Sequence, residues 1–471
     1  MGALLLPGAW PARAQTVAQV DVRRPCVHTE QILELAKYLA STNGAPDAYA
    51  RVVKAAFESP SGDAIKMTAY EENRSFVYAV GAMQSLGGTK PDGLRAKETT
   101  PWVRRLIILN PSTFIIDDDF PTPLLPGISG GCLESTTAPQ VSGPTAHFSE
   151  TEISSEILFP DGANYQARQS SKQRKTETYF LETMAHSSES RFLHVLRVGK
   201  SVRTKGAIQS ELIKAKGQLK LTATIEGRIF RLTLPRPAEE AGEIAIATLD
   251  GKTVLAERPF PSGILPHGPE GNRLLELWDS DYQGKSPALW DIGRPADELQ
   301  KVVAGGKIGK CRVVDMCCGS GTDAIYLANQ GFDVTAIDVA PTALGQAEKK
   351  ANEANAHVQW ILADILAPPE LRTFDFIYDR GCYHVVRDQN LAAYLETVRR
   401  FSHPGTQFLL LAARRDEQSA GGPSGVTEEE LRFDFLTLFD IEWLREIRLE
   451  SNQPGIGPPG WSAFLKRNAA P

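Results

Sequence analysis

The stretch that decides the fold reads Arg-Val-Val-Asp-Met-Cys-Cys-Gly-Ser-Gly-Thr-Asp over residues 312–323. Its apolar start predicts a buried strand, and its polar end predicts the first turn of a helix. Gly319 and Gly321 lie between the two and leave space where a side chain would block the end of the strand. A ligand with a nucleotide-like part is therefore expected at this strand-to-helix turn.

Strands and helices alternate on both sides of this turn. The pattern predicts strands over 311–316, 333–338, 358–362, 374–379 and 407–411, and helices over 323–330, 341–355 and 391–401. Such alternation forces a parallel sheet that helices cover on both faces. Residues 274–471 are therefore predicted to form a doubly wound, Rossmann-like α/β domain.

Acidic residues around the turn indicate which ligand binds. The carboxylate of Asp315 would repel a pyrophosphate but attract the ammonium group of S-adenosyl-L-methionine. Asp338 ends the second strand, where it can accept both ribose hydroxyls of an adenosine. Residues 319–324 also fit a dinucleotide fingerprint, so a nicotinamide-dependent dehydrogenase is the alternative. We expect S-adenosyl-L-methionine as cofactor, and the candidate cofactor-binding residues are Trp290, Asp315, Gly319, Gly321, Asp338, Val339, Asp364 and Ile365.

Several ordered motifs in this part carry a family resemblance. They are residues 278–282, 287–295, 315–322, 334–338, 363–365, 375–384 and 461–466. With them, residues 275–468 resemble a class I S-adenosylmethionine-dependent methyltransferase, and most closely the thiopurine S-methyltransferase-like group. The resemblance implies a seven-stranded sheet and methyl transfer to a small thiol, thioether, chalcogen or related soft nucleophile. Cys317 departs from the family pattern, which usually has glycine there, and a side chain at this position is expected to tighten the loop and weaken cofactor binding.

The end of the fourth predicted strand carries the candidate catalytic residues. Asp379, Arg380 and His384 are candidates for a base, or for a cation that favours a thiolate. The alternative is that Asp379 caps the following turn and that His384 is a packed histidine. Trp278 and Trp290 resemble part of the family's lid, with core packing as their alternative.

Six cysteines are present, without a CxxC pair or a nearby histidine at zinc-finger spacing. Neither a disulfide framework nor a metal site is expected from this spacing. Cys317, Cys318 and Cys382 crowd the predicted pocket, where the simplest interpretation is that they are small buried hydrophobes.

The N-terminal half has a different pattern. Short apolar runs between residues 64 and 260 recur without intervening helices and predict a β-sandwich. A helical lead-in is predicted over 28–63, and a Pro- and Gly-rich linker over 261–273. The half faintly resembles the C-terminal β-sandwich of heparinase II/III-like polysaccharide lyases, which implies glycan contact, although the chain has no room for the helical toroid that would bear a lyase site.

Charge and hydropathy exclude further classes. Residues 1–270 hold 30 basic and 29 acidic side chains, whereas 271–471 hold 21 and 28. No window has the basic excess of a nucleic-acid binder, so nucleic acid is not an expected partner. No apolar run reaches the roughly 20 residues of a transmembrane helix. Residues 1–27 read either as a secretory leader, with Ala12-Arg-Ala14 as its cleavage site, or as a disordered or wrongly assigned start.

The first hypothesis is therefore a small-molecule methyltransferase fused to a lyase-like sandwich. The second is an exported carbohydrate-binding or scaffold protein whose methyltransferase domain is vestigial. The need for S-adenosylmethionine favours the cytoplasm, whereas the leader favours export. A third hypothesis is that two once-separate reading frames have been joined.

Overall fold

The structure is a computed structural model that describes residues 27–28, 57, 66–73, 75–83, 102–109, 113–120, 129–149, 152–169, 178–184, 190–198, 210–215, 218–236, 240–284, 286–415, 425–453 and 457–469. Almost all of the predicted leader and almost all of the predicted helical lead-in lie outside these residues. Within the described ranges, no helix is both long and apolar enough to span a membrane.

Strands dominate the described residues before position 260. They are β1 Val27–His28, β2 Lys66–Glu72, β3 Phe76–Met83, β4 Trp102–Leu109, β5 Thr113–Asp119, β6 Ser129–Ser135, β7 Gln140–Ser142, β8 Thr145–Phe148, β9 Ile153–Phe159, β10 Asn164–Gln169, β11 Tyr179–Met184, β12 Arg191–Val198, β13 Ser210–Ala215, β14 Gln218–Ile225, β15 Arg228–Leu234, β16 Glu243–Thr248 and β17 Thr253–Pro259. They form a four-stranded sheet β1-β6-β11-β10, an eight-stranded sheet β2-β3-β4-β5-β12-β9-β8-β7 and a five-stranded sheet β13-β14-β15-β16-β17.

The eight-stranded sheet packs on both faces. On one face, Leu106 and Phe114 share a core with residues of the four-stranded sheet such as Leu181. On the other face, Ile107 and Ile115 share a core with the five-stranded sheet. Strands β4 and β5 are buried along their whole length, which explains their continuous apolar runs.

This arrangement has one sheet more than the sequence predicts. A sandwich has two facing sheets, whereas three sheets are stacked here. The extra sheet was missed because its strands alternate weakly; β10, for example, exposes four of its six residues. Glu226 and Gly227 form the turn of the hairpin between β14 and β15, and both residues adopt the positive φ that a tight two-residue turn requires, 47° and 79°.

The C-terminal residues form the predicted doubly wound α/β domain. Its elements are α1 Gly268–Gln283, α2 Asp297–Ala304, β18 Arg312–Met316, α3 Thr322–Asn329, β19 Asp333–Asp338, α4 Pro341–Glu353, β20 Val358–Leu362, β21 Phe374–Arg380, α5 Tyr383–Phe401, β22 Ser402–Ala413, α6 Glu428–Phe435, β23 Phe439–Arg448 and β24 Pro459–Arg467. The seven strands have the order β20-β19-β18-β21-β22-β24-β23, and only β24 runs antiparallel to its neighbours. Helix α5 starts eight residues before the predicted helix, across a non-helical residue at Asn390.

The segment between the two halves is ordered by hydrogen bonds to both. The Ser262 N–H donates to the carbonyl of Leu362 at the end of β20, with N and O 3.0 Å apart. On the other side, Tyr70 of β2 donates to Gly263 and accepts from Leu265. Part of the predicted linker therefore bridges the edge strands of two sheets, and α1 begins inside the rest of it.

Candidate active site

The loop between β18 and α3 has the shape that its glycines predict. Gly319 and Gly321 have φ of 55° and 76°, a region that residues with a Cβ rarely adopt. A Cβ on Gly319 would lie 2.6 Å from the Tyr282 hydroxyl, and one on Gly321 would lie 2.5 Å from the Trp360 ring. Both glycines are therefore needed for close packing as well as for access to the strand end.

Asp315 lies inside this site as a buried and incompletely bonded carboxylate. It is 2% exposed, and its Oδ2 has no hydrogen-bond partner among the described residues. Burial raises its pKa well above the usual value, and the charges of Asp323, Asp379 and Asp338 raise it further. A cationic group would stabilise the ionised form. The ammonium of the S-adenosylmethionine methionine end fits this requirement.

Asp338 ends β19 beside the loop. Its Oδ2 accepts the Gly319 N–H at 2.7 Å, and its Oδ1 accepts the Ala340 N–H at 2.8 Å. Burial raises its pKa, although these two N–H groups oppose the rise. A carboxylate has about four acceptor positions, so two hydrogen bonds leave capacity for the ribose hydroxyls.

Three further candidate cofactor-binding residues lie just after the ends of β19 and β20. Val339 packs at the edge of a small core that contains Leu362. Asp364 accepts the Leu366 N–H at 2.9 Å, and burial raises its pKa. Ile365 is buried, and its carbonyl accepts from the Thr397 hydroxyl. These groups lie on the β19 and β20 side of the loop.

The segment that includes α1 lies over the loop. The Trp290 Nε1–H donates to the Tyr282 hydroxyl at 2.8 Å, and that hydroxyl is the group next to Gly319. Trp290 itself is 40% exposed, so it is not a core residue. The loop residue Ser320 donates to Asp291 at 2.6 Å and accepts from Lys350 at 2.6 Å. This segment is thus hydrogen-bonded to the loop and to α4.

Asp379 occupies the end of β21 and caps the turn that follows. It accepts from the Cys382 N–H at 2.9 Å, from the Tyr383 N–H at 3.1 Å and from the Tyr394 hydroxyl at 2.5 Å. Burial raises its pKa to about 7, although these three donors oppose the rise. These contacts match the alternative in which Asp379 caps the following turn.

Arg380 and His384 make backbone contacts at the same edge of the sheet. The Arg380 guanidinium donates to the carbonyls of Trp290 and Glu450 at 3.0 and 3.1 Å. The His384 Nδ1 accepts the Ala413 N–H at 3.3 Å. Burial lowers the pKa of His384 to about 4, so the ring is neutral at pH 7.

The structure joins Cys317 to Cys382 by a disulfide bond, which the cysteine spacing does not predict. The expectation that no disulfide is present is therefore wrong for this pair. The two residues are 65 positions apart, and they meet because β18 and β21 are neighbours in the sheet. Cys317 also has a φ of 56°, which agrees with the glycine usual at this position in the family pattern.

Sequence analysis missed Tyr394, Ser320, Asp291 and Lys350, which hold the site residues by hydrogen bonds. Asp291 and Ser320 lie within the motifs 287–295 and 315–322 but were given no role of their own, and no local pattern marks Tyr394 and Lys350. In the ranges that the structure describes, no group of His, Cys, Asp and Glu is arranged to hold a metal ion.

Comparisons with known proteins agree with this geometry. Residues 313–405 match a family described as "Methyltransferase domain". A Mycobacteroides abscessus protein described as "2-heptyl-1-hydroxyquinolin-4(1H)-one methyltransferase" is 28% identical over 204 residues, which are 41% of this chain and 89% of that protein. "Probable thiol methyltransferase 2" of Arabidopsis thaliana is 23% identical over 184 residues, covering 38% of this chain and 79% of its own.

A solved structure described as "Conversion of a Disulfide Bond into a Thioacetal Group during Echinomycin Biosynthesis" is 28% identical, covers 41% of this chain and 93% of its own, and has a TM-score of 0.36. The glycine loop, the buried Asp315 and the family match lead to one conclusion. The chain is an S-adenosylmethionine-dependent methyltransferase, and S-adenosyl-L-methionine is its cofactor.

Proposed function

We propose that the chain transfers a methyl group to a small soft nucleophile, namely a thiol, a thioether or a chalcogen compound, as the thiopurine S-methyltransferase-like group does. When bound, the cofactor supplies an activated methyl group on a sulfonium. The transfer then depends mainly on the position of the acceptor and the exclusion of water.

The observation that carries the proposal is that, among the described residues at the end of β21, neither candidate base is free to accept a proton. Among the described residues there, Asp379 is occupied by three donors. The His384 Nδ1 accepts a backbone N–H, so the proton of the neutral ring belongs on Nε2. His384 can therefore donate a hydrogen bond but cannot accept a proton at either nitrogen while it keeps this contact.

A soft nucleophile suits such a site because it needs little help from a base. A thiol with a pKa near 8.5 is already partly ionised at neutral pH, whereas an alcohol is not. Arg380 adds a positive charge at the same edge, which favours a thiolate over a thiol. In this proposal Arg380 and the His384 Nε2–H orient the acceptor, and Asp379 positions the turn that carries His384.

The cofactor-binding roles are proposed residue by residue. Asp315 binds the ammonium, Gly319 and Gly321 shape the loop, and Asp338 binds the ribose. Val339, Asp364 and Ile365 surround the adenine, and Trp290 covers the site from above. The partly unbonded Asp315 supports a working site over the vestigial domain of the rival hypothesis.

The N-terminal half has no proposed chemistry of its own. Its resemblance to heparinase-like sandwiches, and glycan contact with it, stay predictions. The hydrogen bonds from Ser262, Gly263 and Leu265 support a role for this half in holding the end of β20, next to the adenine residues.

The test compares two acceptors that differ in one atom. The full chain, S-adenosylmethionine and either a heteroaromatic thiol or the matching hydroxyl compound are incubated, and S-adenosylhomocysteine formation is measured. We expect the thiol to have a kcat/KM at least tenfold higher. Because the M. abscessus relative is named for a hydroxyquinolone, 2-heptyl-1-hydroxyquinolin-4(1H)-one is a third acceptor. Preference for either oxygen acceptor would overturn the soft-nucleophile proposal and leave the methyltransferase assignment intact.

His384→Gln and His384→Phe form a matched pair for the acceptor site. Gln retains a hydrogen-bond donor and should keep most of the activity, whereas Phe should raise KM for the thiol. Between pH 5.5 and 7 His384 stays neutral, so wild-type kcat should rise only as the thiol ionises, and His384→Gln should show the same pH profile. An inflection near pH 6.5 that disappears in His384→Gln would contradict the donor role.

A further inference from the structure

We propose that the Cys317–Cys382 pair is a reversible redox site that controls cofactor binding. When the bond is formed, it fixes the loop after β18 in its binding conformation; when the bond is reduced, the loop relaxes and binds the cofactor more weakly. The inference goes beyond the proposed acceptor chemistry and does not depend on which acceptor is used.

The two cysteines lie at the ends of neighbouring strands. Cys317 follows β18 directly, and Cys382 directly precedes α5, so the bond links the cofactor loop to the loop of the candidate catalytic residues. Their Cα atoms are 5.6 Å apart, a separation at which a disulfide closes without backbone movement. The link joins the ends of two neighbouring strands, β18 and β21.

The backbone of Cys317 has a conformation that disfavours a residue with a side chain. Its φ of 56° is in the left-handed region, which disfavours a residue with a Cβ. Downstream, the loop is held by bonds from Cys318 N–H to Ile337 and from Gly319 N–H to Asp338. At the upstream end, the disulfide is the covalent link that holds the Cys317 side chain, which also packs against the core beneath α5. Without that bond, relaxation of Cys317 removes the neighbouring loop from its binding shape.

The partner side of the bond is firm. The Cys382 N–H donates to Asp379, and Cys382 is 2% exposed within the core beneath α5. The loop therefore moves relative to a fixed anchor. The other two cysteines described near the sheet are unpaired: Cys318 packs against a different core, and Cys311 lies at the opposite end of β18.

The redox step is balanced with a peroxide or a low-molecular-weight disulfide as oxidant. Two thiols lose two electrons and two protons as the S–S bond forms. Hydrogen peroxide accepts both and leaves as two waters, and a small disulfide leaves as two thiols. A reducing thiol or phosphine reverses the step.

The experiment is calorimetric titration of the full chain with S-adenosylhomocysteine after treatment with hydrogen peroxide or with a phosphine reductant. Peptide mass mapping records the bond as a loss of two hydrogens. We expect affinity to fall about tenfold on reduction, because the left-handed conformation costs a non-glycine residue roughly the free energy of one tenfold step. The half-exposed Cys311 gives the matched control, since Cys311→Ser should keep the full redox response.

Two variants distinguish redox control of cofactor binding from a simple structural role of the disulfide. Cys382→Ser should bind weakly in both states, like the reduced wild type. Cys317→Gly should bind tightly in both states, because glycine adopts the positive φ without a bond. Thermal unfolding of each variant shows whether it folds.

Three results would overturn the proposal: equal affinity in both redox states, tighter binding after reduction, or no bond in the oxidised chain. Absence of binding in both states would overturn it as well. Since no acceptor is present, failure of the soft-nucleophile proposal would leave the titration unchanged, so the two failures are distinguishable.

Discussion

Both halves of the molecule bury carboxylates, but they neutralise them differently. In the stacked sheets, Asp117 is fully buried and bonded by Arg191 at both oxygens and by Arg105 at one. Burial alone would raise its pKa, but the two guanidinium groups bring the pKa below the usual value. In the α/β domain, Asp315 is equally buried, yet its Oδ2 has no partner in the described part of the chain and its pKa is raised.

The difference separates a structural charge from one kept for a ligand. A buried carboxylate that the protein neutralises contributes to the fold, and removal of its partner leaves an uncompensated charge. A buried carboxylate left without a partner costs stability, so its presence indicates a cation from outside the chain. The comparison thus predicts opposite effects of mutation in the two halves.

The largest effect is expected for Arg191→Met. The change leaves Asp117 with one cation instead of two, and the free energy of unfolding should fall by about 3–5 kcal/mol in chemical denaturation. Arg197→Met on the same strand is the matched control, because its ion pair with Glu156 is partly exposed and should contribute about 1 kcal/mol or less. Equal losses of unfolding free energy in the two variants would show that the buried network stabilises the fold no more than a partly exposed ion pair does.

Asp315→Asn should do the reverse. Loss of the charge-assisted contact should weaken S-adenosylhomocysteine binding about 100-fold, which corresponds to about 2.7 kcal/mol. The thermal midpoint should stay the same or rise, since a poorly compensated buried carboxylate is removed. Asp333→Asn, at the exposed start of β19, should leave both measurements unchanged. A variant with a lower thermal midpoint and unchanged affinity for S-adenosylhomocysteine would place Asp315 with the structural carboxylates.

The smallest effect concerns Asp379, which lies between the two cases because it has hydrogen-bond donors but no cation. Its folded pKa of about 7 is above the unfolded value of about 3.9. The stability that this group contributes is present below pH 4 and is lost as the pH rises through 7. Between pH 5 and 7 the wild type should therefore lose about 2 kcal/mol that Asp379→Asn does not lose.

Urea denaturation at several pH values measures this difference, and Asp440→Asn, at an exposed position, is the control. Parallel pH curves for wild type and Asp379→Asn would mean that the carboxylate is ionised throughout, as in the Arg-paired network.

The central strands of the α/β domain, such as β18 and β21, could be predicted from local pattern because they are buried and alternate with helices, whereas the partly exposed β23 could not. The positions of Gly319, Gly321 and Asp338 followed in turn from the strand-to-helix turn. In the N-terminal half, alternation identified strands such as β14 and β15 but not the four-stranded sheet, since largely exposed strands such as β10 carry little apolar signal.

Contacts across the sheet could not be predicted at all. The Cys317–Cys382 bond depends on β18 lying beside β21, which the chain order does not reveal, and the hydrogen bond from Tyr394 to Asp379 joins α5 to the end of β21. Burial, which sets the pKa values of Asp315 and His384, is likewise a property of the assembled domain.

The bridging segment, residues 262–265, affects how fragments of the chain should behave. A fragment that starts at α1 would lack the bond from Ser262 to the end of β20, and a fragment that ends at β17 would lack the two backbone hydrogen bonds between Tyr70 of β2 and the segment. Unprotected edge strands recruit other strands, so both fragments should self-associate more than the intact chain does. During synthesis, β2 emerges first and waits for nearly two hundred residues before its edge is covered.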